Sequence, residues 1–571
     1  EPSDAALAKL DNHLCELKEL QIRDGLHIFG AAPTGDQLTD LLVALTRQPR
    51  GTGQGGDASL TRALAQDLGL DFDPLITDLA APWTGSRPAA LDGPDAWRST
   101  GDTVERIELL ARALVGGARD CDASWTGTRA VLDAIDARLR PSVEGCALHE
   151  FDGLLRGLAG RFVPSGPSGA PTRGRLDVLP TGRNFHALDS RAVPTPTAWL
   201  LGWRAAGLLI DRYRQDEGDW PRRMAITAWG TANMRTGGDD IAQALALMGV
   251  RPTWDGASNR VTGYEILPQG ILDRPRVDVT LRISGFFRDA FPAQVELFDA
   301  AARAVAALDE PDHLNPLAAR VRSEVAALEA VGMDPAKARL QAGARVFGAA
   351  PGRYGSGLEA LLTDALADID ATDAYLAAGG FAYGAGLAGA GLHDRFAERL
   401  AGVEAVVQNQ DNREHDLLDS DAYWGFEAGL AATVTRLRGQ APAMFHADTA
   451  NPEHPRIRTL AEEMARVVRG RAANPKWLAG VMRHGHKGAA EIAATVDYLA
   501  AFSGLVPVVT PQHFEAIYDA YVADDAVRHF LITRNPAAAR AVGRRLSSMI
   551  EAGRWQPRHN RAHDLLQELQ A

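Results

Sequence analysis

Cysteine is scarce in this chain. Cys15, Cys121 and Cys146 are the only three in 571 residues. The number is odd and no C-x-x-C pair occurs, so neither a disulfide framework nor a zinc knuckle is expected. A reducing compartment, the cytoplasm, is. Long apolar runs are absent too. The longest, residues 198–210, has 13 residues and is interrupted by Arg204, whereas a membrane-spanning helix needs about 20. No signal peptide is visible, and no membrane insertion is expected. Clustered positive charge is missing: the formal net charge is −13. That argues against a nucleic-acid partner, because phosphate backbones are held by grouped Lys and Arg. Neither G-x-x-x-x-G-K-[ST] nor H-E-x-x-H occurs, so a P-loop and a zincin site are both excluded as motifs. The remainder, 46% hydrophobic and 23% charged, describes an ordinary globular protein of roughly three or four domains.

The expected fold class is α/β and multidomain, a mostly parallel sheet unit flanked by largely helical regions. Residues 1–163 read as mainly helical; Leu10, Leu14, Leu17 and Leu20 recur at helical steps. The chain opens on Glu1 without a methionine, and 11–28 already reads as a working helix, so a piece of something longer is expected. Residues 164–171 (PSGPSGAP) read as a linker. An α/β domain is expected over 172–330. In it 224–229 (MAITAW) is a short apolar strand, 241–248 a helix that Asp239 or Asp240 can cap and Gly249 can end, and 261–267 a second strand. Val277, Val279, Leu281 and Ile283 alternate as a third strand, and 293–308 is a helix. Strands alternating with helices predict a parallel sheet with ligands at its carboxyl ends, which marks 230–240 as a site by position. Residues 331–571 are expected to be mainly helical with a small α/β part. FGAAP occurs at 29–33 and again at 347–351, each time reading as strand, turn and helix.

Three stretches concentrate chemistry. Residues 179–189 (LPTGRNFHALD) form a loop set by Pro180 and Gly182; His186 and Asp189 stand three apart, where a carboxylate could orient an imidazole. The alternative is a turn held by its own side chains. Residues 408–429 (QNQDNREHDLLDSDAYWGFEAG) hold an acidic run around His415, which could bind a cation but is more often a solvated face. Residues 474–503 read as one helix with Asn474 as cap and Pro475 in its first turn. His484 falls at the border of the apolar stripe formed by Gly488, Ile492, Val496 and Leu499. A histidine there is more often a structural hydrogen-bonder.

These stretches, with 482–499 (MRHGHKGAAEIAATVDYL), resemble the large subunit of aerobic cobaltochelatase, the CobN family, over nearly the whole chain. That family is related to the porphyrin-binding H subunit of magnesium chelatase. The match is to its C-terminal half. The resemblance implies the tetrapyrrole-binding subunit of an ATP-dependent cobaltochelatase, a metal chelatase inserting Co2+ into hydrogenobyrinic acid a,c-diamide during cobalamin biosynthesis. Two AAA+ type partner subunits would supply ATP hydrolysis with Mg2+. It implies His484, His186 and Asp189 as catalytic groups and Arg183, Asn184, Arg353, Tyr354 and Trp424 against the ring. Metal contacts would come from His484, Glu414 and His415. The ring would lie in a cleft between the α/β part and the C-terminal helices. Such residue types suit the task, because cobalt takes imidazole and carboxylate ligands, pyrrole protons need a base and an acidic ring rim needs arginine. A magnesium-chelatase-type subunit is the near alternative. A different class, an NAD(P)-dependent oxidoreductase, rests on G-x-G-x-x-G at 384–389 (GAGLAG) with Glu404 downstream, although 375–383 makes a poor buried strand. A non-catalytic scaffold fragment is the third reading.

Overall fold

The computed structural model of the protein describes residues 27–186, 188–359 and 371–571. Residues 11–26 of the expected first helix, and the end of the helix expected after the second FGAAP, lie outside them. Helices Gly35–Arg47, Leu60–Asp67, Thr100–Val115 and Arg140–Leu158 close on a core of their own that includes Leu42, Leu64, Ile107 and Val131. The third of these starts at a reciprocal cap. Ser99 Oγ accepts from the Asp102 amide (3.2 Å) while Asp102 accepts from the Ser99 amide (3.0 Å), an arrangement worth about 1 kcal/mol.

Strand β1 (Ser165–Pro167) pairs in parallel with β2 (Asn184–His186). The expected linker is thus partly a strand. Pro167 has no N–H to give, which a two-stranded edge tolerates, and the Asn184 amide reaches the Pro164 carbonyl at 2.9 Å. The central strands follow: β3 (Arg223–Ala228), then β4 (Val250–Trp254), β5 (Val261–Ile266) and β6 (Asp278–Ile283). After them come β7 (Val346–Gly348), β8 (Phe381–Gly384), β9 (Leu387–Gly391), β10 (Ala405–Gln410), β11 (Ala443–Asp448) and β12 (Arg456–Thr459). The expected strand over 261–267 is present, but as half of a separate antiparallel β4–β5 ribbon.

The main sheet runs β12-β11-β10-β3-β6-β7-β8-β9. Its centre, β11-β10-β3-β6-β7, is parallel, and β12 and the β8–β9 hairpin are antiparallel edges. The protein is therefore α/β, and residues 223–283 and 346–459 share one sheet. From β3 the chain builds outward through β6 and β7, then returns to the other side of β3 at β10. The order reverses between β3 and β10. Crevices outside the carboxyl ends of strands at such a reversal are where open α/β sheets bind ligands.

One face of the sheet (Ile226, Leu281, Val407, Phe445) packs on helices Pro196–Glu217, Asp239–Met248 and Pro292–Ala306. Thr195 opens the first, accepting from the Ala198 amide at 3.1 Å, and Gly218 at φ +79° closes it. The other face (Ala225, Phe347, Val406) packs on the C-terminal helices. Helix Asp239–Met248 ends at Gly249 in the left-handed region, as the sequence suggests, but its N-cap is Gly238, not an aspartate. A Cβ at Gly238 would meet Val193 Cγ1 at 2.6 Å and Pro194 Cα at 2.9 Å, so no side chain fits there. The continuous helix expected over 474–503 is broken into Pro475–Met482 and Gly485–Leu505. Gly485 sits at φ +54°, which ends one helix and re-aims the next.

Candidate functional site at the sheet reversal

Trp229 leaves the end of β3 and leads directly into helix Gly230–Thr236. A Cβ on Gly230 would lie 2.8 Å from the Phe287 backbone nitrogen, so glycine lets the turns after β3 and β6 close against each other. Ser284 Oγ links them, accepting from the amides of Phe287 (3.1 Å) and Gly230 (3.3 Å). From this short helix Arg235 crosses the reversal and makes a two-pronged ion pair with Asp411, just past β10: Nε–Oδ2 and Nη2–Oδ1 are both 2.8 Å. Asp411 is only 3% exposed and Arg235 19%. Burial lowers the Arg235 pKa, but the Asp411 carboxylate outweighs it and the net shift is upward.

The turn after β10 is built to hold its shape. Gln410 Nε2 donates to the carbonyls of Asn412 and His415, each at 2.9 Å, and Asn412 Oδ1 accepts from the Glu414 amide at 2.9 Å. Glu414 accepts from Thr172 Oγ1 at 2.9 Å, and burial pushes its pKa up. Behind this turn Asp240 Oδ1 accepts from Asn409 Nδ2 at 2.9 Å, while its Oδ2 has no hydrogen-bond partner among the described residues. Burial, reinforced by the charges of Asp411 and Asp239, pushes Asp240 up to about 7. Carboxyl groups displaced this way gather at functional sites.

Aromatic rings stand beside the ion pair. Half-buried Trp229 stacks on Tyr423 with centroids 5.3 Å apart, and Phe426 is 5.2 Å away at a tilt. Trp229 Nε1 donates to Gln408 Oε1 at 3.2 Å. Tyr423 precedes, and Phe426 lies within, a π-helical turn, Trp424–Ala428, a local widening common at functional sites. Between the N-terminal helices and the β11–β12 edge is a cavity of ≈ 70 Å3 lined by Arg47, Arg413, Arg456, Arg458 and Arg466 with Glu108 and His454. That volume is too small for a macrocycle. Arg413 and Arg458 both reach Asp448 Oδ2 at 2.9 Å, and these cations hold the Asp448 carboxyl far below the usual range despite its burial.

The residues picked from sequence fall in four places. Glu414 and His415 lie in the turn after β10, and Trp424 lies in the π-helical turn, where it is buried. Arg353 and Tyr354 follow β7. Tyr354 donates to Asp289 Oδ2 at 2.7 Å, and Arg288 lies over its ring at 5.5 Å. Arg183 directs Nε and Nη2 at the carbonyls of Pro180 (3.1 Å), Asp177 (3.1 Å) and Leu179 (2.7 Å), all within six residues of it. Asn184 is exposed on β2, and the backbone of His186 ends that strand. Asp189 binds Arg191 and Arg260, which hold its pKa well below the usual carboxylate range. His484 is half-buried in the turn between the two helices, its amide bonded to the Val481 carbonyl at 3.1 Å.

GAGLAG forms the turn and start of the β8–β9 hairpin at the sheet edge, not the strand–turn–helix a dinucleotide site requires. Its Gly384 packs against Asp299, whose Oδ2 accepts from the Ala385 amide at 3.0 Å. Arg235 and His446 were not singled out from sequence, Asp240 is marked there only as a helix cap, and Glu427 only as part of the stretch at 408–429. Position after a strand pointed toward Arg235 and Asp240, since 230–240 follows β3. Nothing local marks His446, a lone histidine in a strand.

A family model described as CobN/Magnesium Chelatase matches residues 1–562. The chain belongs to this family. It is 57% identical to an aerobic cobaltochelatase subunit CobN of Sinorhizobium sp, over 98% of the chain and 46% of that protein. It is 34% identical to the magnesium-chelatase H subunit of Rhodobacter capsulatus, over 72% of the chain and 34% of that protein. The solved catalytic subunit of cobaltochelatase from Mycobacterium tuberculosis superposes with a TM-score of 0.87 at 40% identity, over 99% of this chain and 46% of that one. The chain thus spans about half the length of the CobN relatives it matches. Among the described residues no helix is long and apolar enough to cross a membrane.

Proposed function

We propose that this chain is the ring-binding, metal-inserting portion of a cytoplasmic, ATP-dependent cobaltochelatase of cobalamin biosynthesis. Its ring substrate is hydrogenobyrinic acid a,c-diamide and its metal substrate Co2+. Two AAA+ type subunits provide ATP hydrolysis with Mg2+. The observation that carries this reading is the meeting, at the sheet reversal, of half-buried Trp229, stacked on Tyr423, with a fixed Arg235–Asp411 pair, an arginine-lined cavity lying toward the β12 edge. A planar ring stacks on an indole face such as that of Trp229, and acidic side arms around it meet guanidinium groups that bind carboxylates two-pronged. Glu414, His415 and His484 are the proposed metal contacts. Arg183, Asn184, Arg353 and Tyr354 are the proposed ring contacts, Trp424 being buried in the core instead, and His186 and Asp189 complete the proposed set.

Titrating the purified chain with the free-base ring tests the binding half: the visible bands shift and saturate. Metal uptake is then followed with both partner subunits and ATP, comparing cobalt with magnesium. A saturable shift with cobalt insertion supports the reading, magnesium insertion into a porphyrin moves it to the magnesium-chelatase branch, and no shift at all leaves a scaffold.

A further inference from the structure

Five buried polar atoms lie without partners on one face of the sheet. Thr227 on β3, Arg282 on β6, Gln408 on β10 and His446 on β11 all look toward the C-terminal helices, with Gln408 and His446 directly opposite in the strand register. His446 Nδ1 lies 3.3 Å from Glu427 Oε1, and each side chain is 1% exposed. His446 Nε2, Glu427 Oε2, Trp424 Nε1, and Nε and Nη2 of Arg282 have no hydrogen-bond partner among the described residues. Arg282 instead faces the rings of Phe426 (5.0 Å) and Tyr375 (5.3 Å). A pair serving only the core would normally have its outer atoms bonded, since each unmet buried group costs about 1–3 kcal/mol. Orphans gathered in one place point to water, an ion or proton traffic.

The pair sits one ring behind the proposed site. Its His446 ring is 6.2 Å from that of Tyr423, which stacks on Trp229, and Glu427 shares the π-helical turn with Phe426. The surrounding charges are Glu463 and Arg466, in helix Leu460–Val467, and Arg458, the β12 register partner of His446.

We propose that Glu427 and His446 form the proton-accepting pair of metal insertion. The inference rests on the chelatase reading above. When the divalent ion enters, a pyrrole N–H bond breaks and its electron pair stays on nitrogen to bind the metal. The proton, relayed past Tyr423 by bridging waters, forms a new N–H bond at His446 Nε2, the atom left open. Glu427 steadies the imidazolium through Nδ1–H. Any further ring proton leaves to solvent. Burial disfavours a charged imidazole, but Glu427 and Glu463 outweigh it and His446 is raised overall, while burial raises Glu427.

Glu427→Gln and His446→Gln are tested in the assembled chelatase containing the full-length subunit. Ring affinity, read from the band shift, should stay within about twofold while insertion falls about 100-fold, the usual scale of a lost general base. The limb of the pH–rate profile set by the pair should vanish. Glu427→Asp keeps the carboxylate and should restore part of the rate with that limb displaced. An unchanged pH profile in a folded variant that still inserts metal overturns the proposal. If both glutamine variants melt early, Glu427→Asp decides alone: a displaced limb supports the pair and an unmoved one overturns it. Failure of the unaltered protein to bind the ring would instead overturn the chelatase reading, and this inference with it.

Discussion

The loop at 179–189 and the turn at 410–415 are similar in composition and opposite in construction. Both follow a β- or loop-forming segment, both hold an arginine, an asparagine and a carboxylate within a few residues, and either could be read as a site. In the first, Arg183 bonds carbonyls three to six residues away and Asp189 bonds Arg191 two residues on, with Arg260 as its one distant partner. In the second, Asp411 bonds Arg235 and Glu414 bonds Thr172, contacts spanning 176 and 242 residues. Local bonds shape a loop; distant bonds fix one element against another and leave buried charges that only the assembled fold can hold. Density of polar residues does not distinguish the two. The sequence distance to their partners does.

The largest effect expected from this difference is at Asp240, the most strained charge near the turn. Its carboxyl holds a proton up to about 7 when folded, against 3.8 for an ordinary aspartate, so folding takes up a proton between those values. Stability therefore falls as pH rises through that window, by up to about 4 kcal/mol at roughly 1.4 kcal/mol per unit. Asp240→Asn should remove the fall: the variant melts higher than the unaltered protein at pH 8 and alike at pH 4. Equal melting at both values would show that Asp240 is not strained.

Next comes the ion pair itself. Asp411→Asn leaves a largely buried Arg235 without its counter-charge and should cost about 3 kcal/mol, with ring affinity weakened as well. A loss under about 1 kcal/mol would put the pair with ordinary surface pairs and erase the contrast with the first loop. Smallest are the changes in that loop. Arg183→Ala should cost about 1 kcal/mol for its carbonyl bonds, and Asp189→Asn should leave the melting temperature unmoved. Weaker ring binding without loss of stability would place the loop in the site as proposed, whereas a stability loss as large as that of Asp411→Asn would make the comparison wrong.

Much of the α/β unit was legible. The alternation of Val279, Leu281 and Ile283 marks β6, the apolar run at 224–229 marks β3, and Gly249 marks the end of a helix, because each is a signal of period or of left-handed backbone within a few residues. The position of the site after β3 was legible for the same reason. What sequence could not show is the strand order. That β10 lies beside β3 brings Thr227 to Gln408, 181 residues apart, and no local pattern encodes it. The resemblance to the CobN family named the chemistry, yet the pairing of Glu427 with His446 needs a π-helical turn laid over β11. Helix 474–503 was misjudged at Gly485, since glycine inside a helical pattern signals a break only when its φ is known.

The reversal between β3 and β10 also sets a schedule. Half of the candidate site is made before residue 240 and the other half only after residue 405, so a growing chain carries at most half of it until β10 emerges. At about 5–20 residues per second, synthesis of the intervening segment takes roughly 8–33 s, and throughout it the β10 side of β3 is a bare edge. Contacts this distant in sequence are slow to close. The ring-and-metal chemistry proposed here thus cannot begin on an unfinished chain: the strand that completes the crevice is also among the last of the sheet to emerge.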